Sequence, residues 1–305
     1  MDRTHAGVYL VDASIYIFRG WFVWPDSITD RDGNPINAVV GFADFLLKLI
    51  ETRQPSKIAC AFDTSLGKSV RQSIYPEYKA NRPEAPPELK YQFELCRDLV
   101  ESLGIAAFAS ERYEADDILG TLARVSQNED KPFVVVTADK DLTQLVGKQD
   151  FWWHFANDYW LDYRGVEKRF GVRPEQIADL LALCGDKVDN IPGVPGVGET
   201  TAARLLKKWG DIDTLYQQLE RVSEMKFRGA KRVQSLLTDH RETVELARQL
   251  TPILDVPGLP AAVSELAPTG VKTEAFTRLC DQLNLSEQRQ GRFVKALKAR
   301  SASEN

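Results

Sequence analysis

Histidine and cysteine are scarce in this 305-residue chain, and they are scattered. The three histidines (His5, His154, His240) and four cysteines (Cys60, Cys96, Cys184, Cys280) show no paired spacing. That argues against a zinc site and against a disulfide framework, and favours reduced thiols in a cytoplasmic protein. There is no run of about 18 apolar residues and no basic-then-apolar start, so neither a membrane span nor a secretory leader is expected. A basic excess is missing as well: the formal net charge is −5. What is present is an ordinary globular composition, 43% hydrophobic and 27% charged, enough for one large domain or a main domain with an appendage.

The negative charge looks unsuited to a polyanionic partner until the acids are located. Nine of them (Asp12, Asp63, Glu114, Asp116, Asp117, Asp139, Asp141, Asp186 and Asp189) fall at strand ends or in short motifs. Taking these nine from the 44 acids leaves 35, against 39 Lys and Arg, a balance of +4. If the nine sit beside cations, the rest of the surface is net basic.

Three segments, Gly7–Asp12, Lys57–Asp63 and Pro132–Thr137, are short, apolar and rich in Val, Ile and Phe. Stretches long enough for crossover helices separate them, among them Val39–Glu51 and Leu89–Leu103. The pattern predicts an α/β fold with a mostly parallel central sheet flanked by helices. Acids follow each strand at once: Asp12, Asp63, and Asp139 just past the third. Ligands of open α/β sheets bind outside the carboxyl ends of strands, so these acids should meet in one crevice. Between Thr64 and Pro87 the periodicity breaks into a basic, aromatic excursion holding Lys68, Arg71, Tyr75, Tyr78, Lys79 and Arg82. From about Gly171 the pattern is helical, and Thr273 to Asn305 ends in basic residues (Arg289, Arg292, Lys295, Lys298, Arg300).

Three acidic motifs carry the chemistry. Glu114, Asp116 and Asp117 open a helical pattern; acids also favour a helix N-terminus for its dipole alone, so this motif is ambiguous by itself. Asp139 and Asp141 alternate on a strand-to-loop turn, and Asp186 and Asp189 are three apart. An isolated Asp-x-Asp is more often structural than ligating. Together, however, nine carboxylates with no His or Cys form a poor zinc site and a good Mg²⁺ site. Mn²⁺ could replace Mg²⁺ there. Two such ions suit phosphodiester hydrolysis without a protein nucleophile. The turn from Gly193 to Gly198 leads into a helical pattern and can present backbone amides to a phosphate.

These motifs, in this order, resemble the bacterial 5′–3′ exonuclease and flap endonuclease family, including the 5′-nuclease domain of DNA polymerase I. The matching residues are Val11-Asp12, Phe62-Asp63, Tyr78 to Arg82 (YKANR), Glu114 to Asp117, Thr137 to Asp141, Gly185 to Asn190 and Pro192 to Gly198, covering roughly residues 7 to 260. The resemblance implies a PIN-like nuclease core over 1–170, with an arch or gateway at about 64–95. A helix–three-turn–helix region over 171–260 and a basic helical tail over 261–305 would follow. It further implies that Asp12, Asp63, Glu114 and Asp116 serve a first Mg²⁺. Asp117, Asp139, Asp141, Asp186 and Asp189 would serve a second ion and its surroundings.

Lys79 and Arg82 would approach the scissile phosphate from a helical gateway, and with Asp116 they form the implied catalytic set. Arg71 is expected to touch DNA beside them, and Tyr78 to lie near an unpaired or terminal base, although a packing role for Tyr78 stays open. Gly193, Val194, Gly196, Gly198, Thr200, Thr201, Arg204 and Lys207 would grip duplex DNA, with K⁺ held by loop carbonyls. Relatives usually carry lysine where this chain has Thr200, which puts one phosphate contact in doubt. The expected substrate is DNA with a 5′ end, flap or nick, handled by a monomer. Two rivals remain at this point: a catalytically silent DNA-structure-binding protein, and an RNase acting on RNA–DNA hybrids. Trp152, Trp153 and Trp160 read as packing residues of a connection.

Overall fold

The computed structural model describes residues 7–64 and 69–301; Lys68 of the basic excursion lies outside these residues. Its centre is a six-stranded sheet in the order β3-β2-β1-β4-β5-β6. The strands are β1 (Val8–Asp12), β2 (Lys57–Asp63), β3 (Ala106–Ser110), β4 (Phe133–Val136), β5 (Phe151–His154) and β6 (Tyr159–Leu161). All pairings are parallel except β5 with β6. Three of these strands coincide with the segments predicted from hydrophobic runs. The other three were not legible: β3 is built of alanines, and β5 and β6 are aromatic strands whose tryptophans had suggested a connection.

Alternation along the strands splits the core into two layers. Val8, Leu10, Ala59, Ala61, Phe133 and Val135 face one side. Tyr9, Val11, Ile58, Cys60, Phe62, Val134 and Val136 face the other. Burial on both faces is why these strands read as continuous apolar runs rather than as alternating ones. The second face is covered by α1 (Ala13–Val23), α2 (Asn37–Arg53) and α4 (Pro87–Ser102). The first is covered by α5 (Ala115–Asn128), whose Ile118, Leu119 and Leu122 are fully buried.

Past α6 (Tyr163–Phe170) the chain is helical. Helices α7 (Ile177–Cys184), α8 (Glu199–Trp209), α9 (Ile212–Gln217), α10 (Ala230–Asp239) and α11 (Arg241–Leu250) continue the first core layer. The basic tail is no free arm. Helices α12 (Thr273–Gln282) and α13 (Glu287–Ser301) return to the second face, burying Phe276, Leu279 and Phe293 there. Arg289 pairs with Asp44, and Arg292 with Glu51, both on α2. Among the described residues no helix is long and apolar enough to cross a membrane.

Candidate active site

Asp12 is the last residue of β1 and the cap of α1. Its carboxylate accepts the Ile15 amide at 3.3 Å and the Thr137 hydroxyl at 2.7 Å, which joins the ends of β1 and β4. Asp63 ends the neighbouring strand β2 and accepts the Ala115 amide at 2.8 Å, aiming the first turn of α5 at the sheet edge. Beyond β4, the Asp139 amide donates to Thr137 and the Asp141 amide donates to Asp139, at 2.9 and 2.8 Å. Asp186 accepts the Val188 and Asp189 amides, closing the loop between α7 and the glycine turn. Strand ends, one helix start and one loop thus bring eight acids to one edge.

The acids feel one another. Burial pushes the Asp12 carboxyl up to about 7, with Asp63 and Asp139 adding to the rise against the Thr137 hydrogen bond. Burial, then Asp139, drives Asp141 up to about 8. Asp116 stands well above the ordinary carboxylate range through burial and the charges of Asp139, Asp12 and Asp63. Asp139 is raised chiefly by burial, against the hydrogen bond from the Asp141 amide. Asp186 goes the other way: burial opposes the shift, but Lys140, donating at 2.8 Å, holds it below the usual value.

Cations now occupy this edge. Lys79 Nζ donates to Glu114 at 2.7 Å and lies 3.6 Å from Asp189; Arg82 is paired with Asp189. Among the described residues no three His, Cys, Asp or Glu stand in metal-holding geometry. Lys79, Arg82 and Lys140 instead pair with Glu114, Asp189 and Asp186. Asp141 Oδ1 is buried 3.9 Å from Lys140 Nζ and, among the described residues, accepts no hydrogen bond. An orphaned, buried anionic oxygen among hard oxygen donors fits a divalent cation such as Mg²⁺.

Linkage gives a testable sign. An aspartate titrates near 3.9 when unfolded, whereas Asp12 and Asp141 hold their protons to about 7 and 8 in the folded, metal-free protein. The folded state therefore binds more protons across that window, and stability falls as pH rises from about 4 to about 8. Thermal melts in EDTA are expected to drop by several degrees between pH 5 and pH 8. Mg²⁺ should restore more at pH 8 than at pH 5, because binding must expel those protons.

Three sequence expectations are corrected by the geometry. Asp117 is fully buried, and its two oxygens accept four hydrogen bonds: two from Arg71, one from the Glu114 amide and one from the Leu254 amide. It is spent within the protein. Arg71 is equally consumed, donating also to the carbonyls of Leu250 and Pro252, and it presents nothing to DNA. Tyr78 is buried, with its hydroxyl 3.0 Å from both Glu114 and Asp189, which is the packing role that the sequence had left open. Lys79 and Arg82 lie on turns and not on a helix. Lys79 takes φ +56°, which a helix excludes, and Pro76 and Pro83 bracket the segment.

The Lys79 turn is docked on the acidic loop. The Lys79 amide donates to the Asp189 carbonyl, Asn81 to the Lys187 carbonyl and Asn190 to the Glu77 carbonyl. In the glycine turn, a Cβ on Gly193 would sit 2.2 Å from the backbone of Cys184 and Gly185, so this glycine serves close packing. Val194 is in the core. Gly196 and Gly198 are exposed, and Gly198 caps α8 with no side-chain hydrogen bond, leaving first-turn amides open to an anion. Thr200, Arg204 and Lys207 are exposed on α8 and Thr201 is half-buried. Lys140 and the Arg71–Asp117 pair were missed from sequence; Lys140 stood in plain view between Asp139 and Asp141.

Comparison with known proteins agrees with this architecture. Residues 7–171 match the family described as 5′-3′ exonuclease, N-terminal resolvase-like domain, and 172–274 match 5′-3′ exonuclease, C-terminal SAM fold. DNA polymerase I of Pseudomonas aeruginosa is 41% identical over 281 residues, 92% of this chain but 31% of that protein. The chain thus spans about a third of the length of such polymerase relatives. A 5′-3′ exonuclease of Aquifex aeolicus is 37% identical over 214 residues, 70% of this chain and 73% of that protein. In fold, the T5 D15 protein co-crystallised with metal ions superposes with a TM-score of 0.64 at 17% identity, covering 96% of this chain and 99% of the other. The catalytic core of Rad2 in complex with DNA substrate gives 0.64 at 15% identity, covering 95% and 92%. With a mostly parallel sheet, a SAM-like helical region and both family regions matched in order, this chain belongs to the 5′-3′ exonuclease family of nucleases.

Proposed function

We propose that this chain is a structure-specific 5′ nuclease that hydrolyses DNA phosphodiesters at 5′ ends, flaps or nicks in replication or repair. It uses Mg²⁺ at two positions, with Mn²⁺ able to substitute. The observation that carries the reading is the meeting of eight carboxylates at the carboxyl edge of the sheet, one of them with a buried oxygen that accepts no hydrogen bond among the described residues. Asp12, Asp63, Glu114 and Asp116 would hold the first ion; Asp139, Asp141, Asp186 and Asp189 would hold or surround the second. When bound, such ions supply Lewis acidity toward the phosphodiester and its leaving oxygen.

The chain's own residues do the rest. Lys79 and Arg82 bind the scissile phosphate and neutralise its developing charge. They are the cations closest to Glu114 and Asp189, and the burial that opposes the charge on Lys79 is outweighed by those acids. Tyr78 holds Glu114 and Asp189 in register beneath them. Gly196, Gly198, Thr200, Thr201, Arg204 and Lys207 grip the duplex without reading sequence, and the turn's carbonyls would hold K⁺. We assign the nuclease core to 1–170, the duplex-binding region to 171–260 and the returning helices to 261–305. The protein acts as a monomer in the bacterial cytoplasm.

A 5′-labelled flap substrate tests the proposal. With Mg²⁺, mononucleotide products indicate end-trimming and a flap-length oligonucleotide indicates endonuclease action; EDTA abolishes both. Failure to cut flap or nicked duplex with any divalent metal would falsify the nuclease reading.

A further inference from the structure

Lys79 stands at φ +56° and Asn190 at φ +55°, in the left-handed region that residues with a Cβ adopt at a cost. Strained backbone of this kind persists only where its surroundings hold it. Three neutral hydrogen bonds hold the Lys79 turn against the loop that contains Asn190. The Lys79 amide donates to the Asp189 carbonyl at 2.9 Å, and the Asn81 side-chain amide to the Lys187 carbonyl at 2.9 Å. The Asn190 side-chain amide donates back to the Glu77 carbonyl at 2.6 Å. The loop side of this joint is firm. Asp186 and Ile191 exchange backbone hydrogen bonds across its neck, Ile191 is buried, and the Val194 amide donates to the Leu183 carbonyl on α7.

The ties made by charged groups across the same joint are of another kind. Lys79, Arg82 and the Tyr78 hydroxyl all end on Glu114 or Asp189, the acids assigned above to ions. Ions on those acids compete with the cations for the same oxygens, and a phosphate competes with the acids for the cations. The neutral bonds compete with neither, because backbone carbonyls accept them. Resting on the phosphate role given above to Lys79 and Arg82, we propose that Asn81 and Asn190 are positioning residues, which keep those two cations at the acidic edge while substrate is bound. Without them only the Lys79 amide bond remains of the three, and the left-handed turn is free to relax. The cations then stray from the scissile phosphate, so turnover falls while the grip of the glycine turn on the duplex persists.

Asn190→Gly keeps the left-handed φ without strain and removes only the side-chain donor; Asn81→Ala removes the other donor. Amide hydrogen exchange reads the joint without any cleavage. With Mg²⁺ present, the double variant is expected to exchange the amides of residues 77–82 roughly tenfold faster than wild type, the weight of about one net hydrogen bond. Peptides from the sheet and α8 should be unmoved. On a labelled flap the single-turnover rate should fall roughly tenfold, with the duplex dissociation constant in EDTA unchanged and the thermal midpoint lowered by no more than about 2 °C. Each single variant, expected to lose roughly threefold in rate, guards against a folding defect in the pair. Unchanged exchange overturns the proposal, and so does faster exchange with an unchanged rate. A rate loss matched by equal weakening of duplex binding, or by a large fall in midpoint, also overturns it, making the two asparagines merely structural. If exchange quickens as expected and wild type cuts no substrate, the nuclease reading fails while the joint stands.

Discussion

Replacing Asp117 by alanine is expected to cost the fold about 3–5 kcal/mol, the usual penalty for leaving one member of a buried ion pair unpartnered. Arg71 and Asp117 are both buried and meet through two parallel hydrogen bonds of 2.8 Å. Through them α5, the short helix α3 (Val70–Ile74) and the segment leaving α11 are tied together, because Arg71 also reaches the carbonyls of Leu250 and Pro252. Removing the carboxylate strands a guanidinium that cannot lose its proton, and it frees the Glu114 and Leu254 amides as well. Urea denaturation should show a much lower midpoint with little change in slope. A double replacement, Arg71→Met with Asp117→Leu, should recover much of the loss, since an apolar pair carries no stranded charge. Asp117→Ala at wild-type stability, with only its metal requirement raised, would return Asp117 to the ligand set.

Asp116→Ala is expected to leave the fold intact and to lower turnover by roughly 10³-fold or more, on the scale of losing an electrostatic contact made to the transition state. Asp116 sits in the first turn of α5, facing Asp12, Asp63 and Asp139, each of which raises its proton affinity. In the metal-free protein this is a repulsive arrangement, so the substitution should stabilise the EDTA form slightly while abolishing cleavage. Duplex binding should be nearly unchanged, because the glycine turn and the α8 cations are untouched. Measuring kcat on a labelled flap beside the dissociation constant in EDTA separates the two. Loss of binding in a folded variant would mean that Asp116 belongs to the grip.

Much of this was legible in the sequence because strand-end acids obey a local rule. A buried parallel strand must be apolar, so the first charged residue after it marks the carboxyl edge; Asp12, Asp63 and Asp139 all declare themselves in that way. The glycine turn was legible for a similar reason, since the close approach at Gly193 tolerates no Cβ. What stayed hidden depended on partners distant in the chain. Nothing near Asp117 distinguishes it from Asp116: both lie in the first turn of α5, and only the return of the chain at 250–254 decides which one points inward. Arg71 looked like a surface cation until that same return supplied two carbonyls. Strands β5 and β6 read as a connection because tryptophan-rich segments carry no clean period, and their pairing is set by β4. The sequence by itself therefore determined three strands of the sheet (β1, β2 and β4), the acids at their carboxyl ends and the family resemblance. Only the tertiary structure decided which charges face the substrate and which neutralise one another in the interior, because burial of a charge is settled by the elements that pack around it and not by its neighbours in the chain.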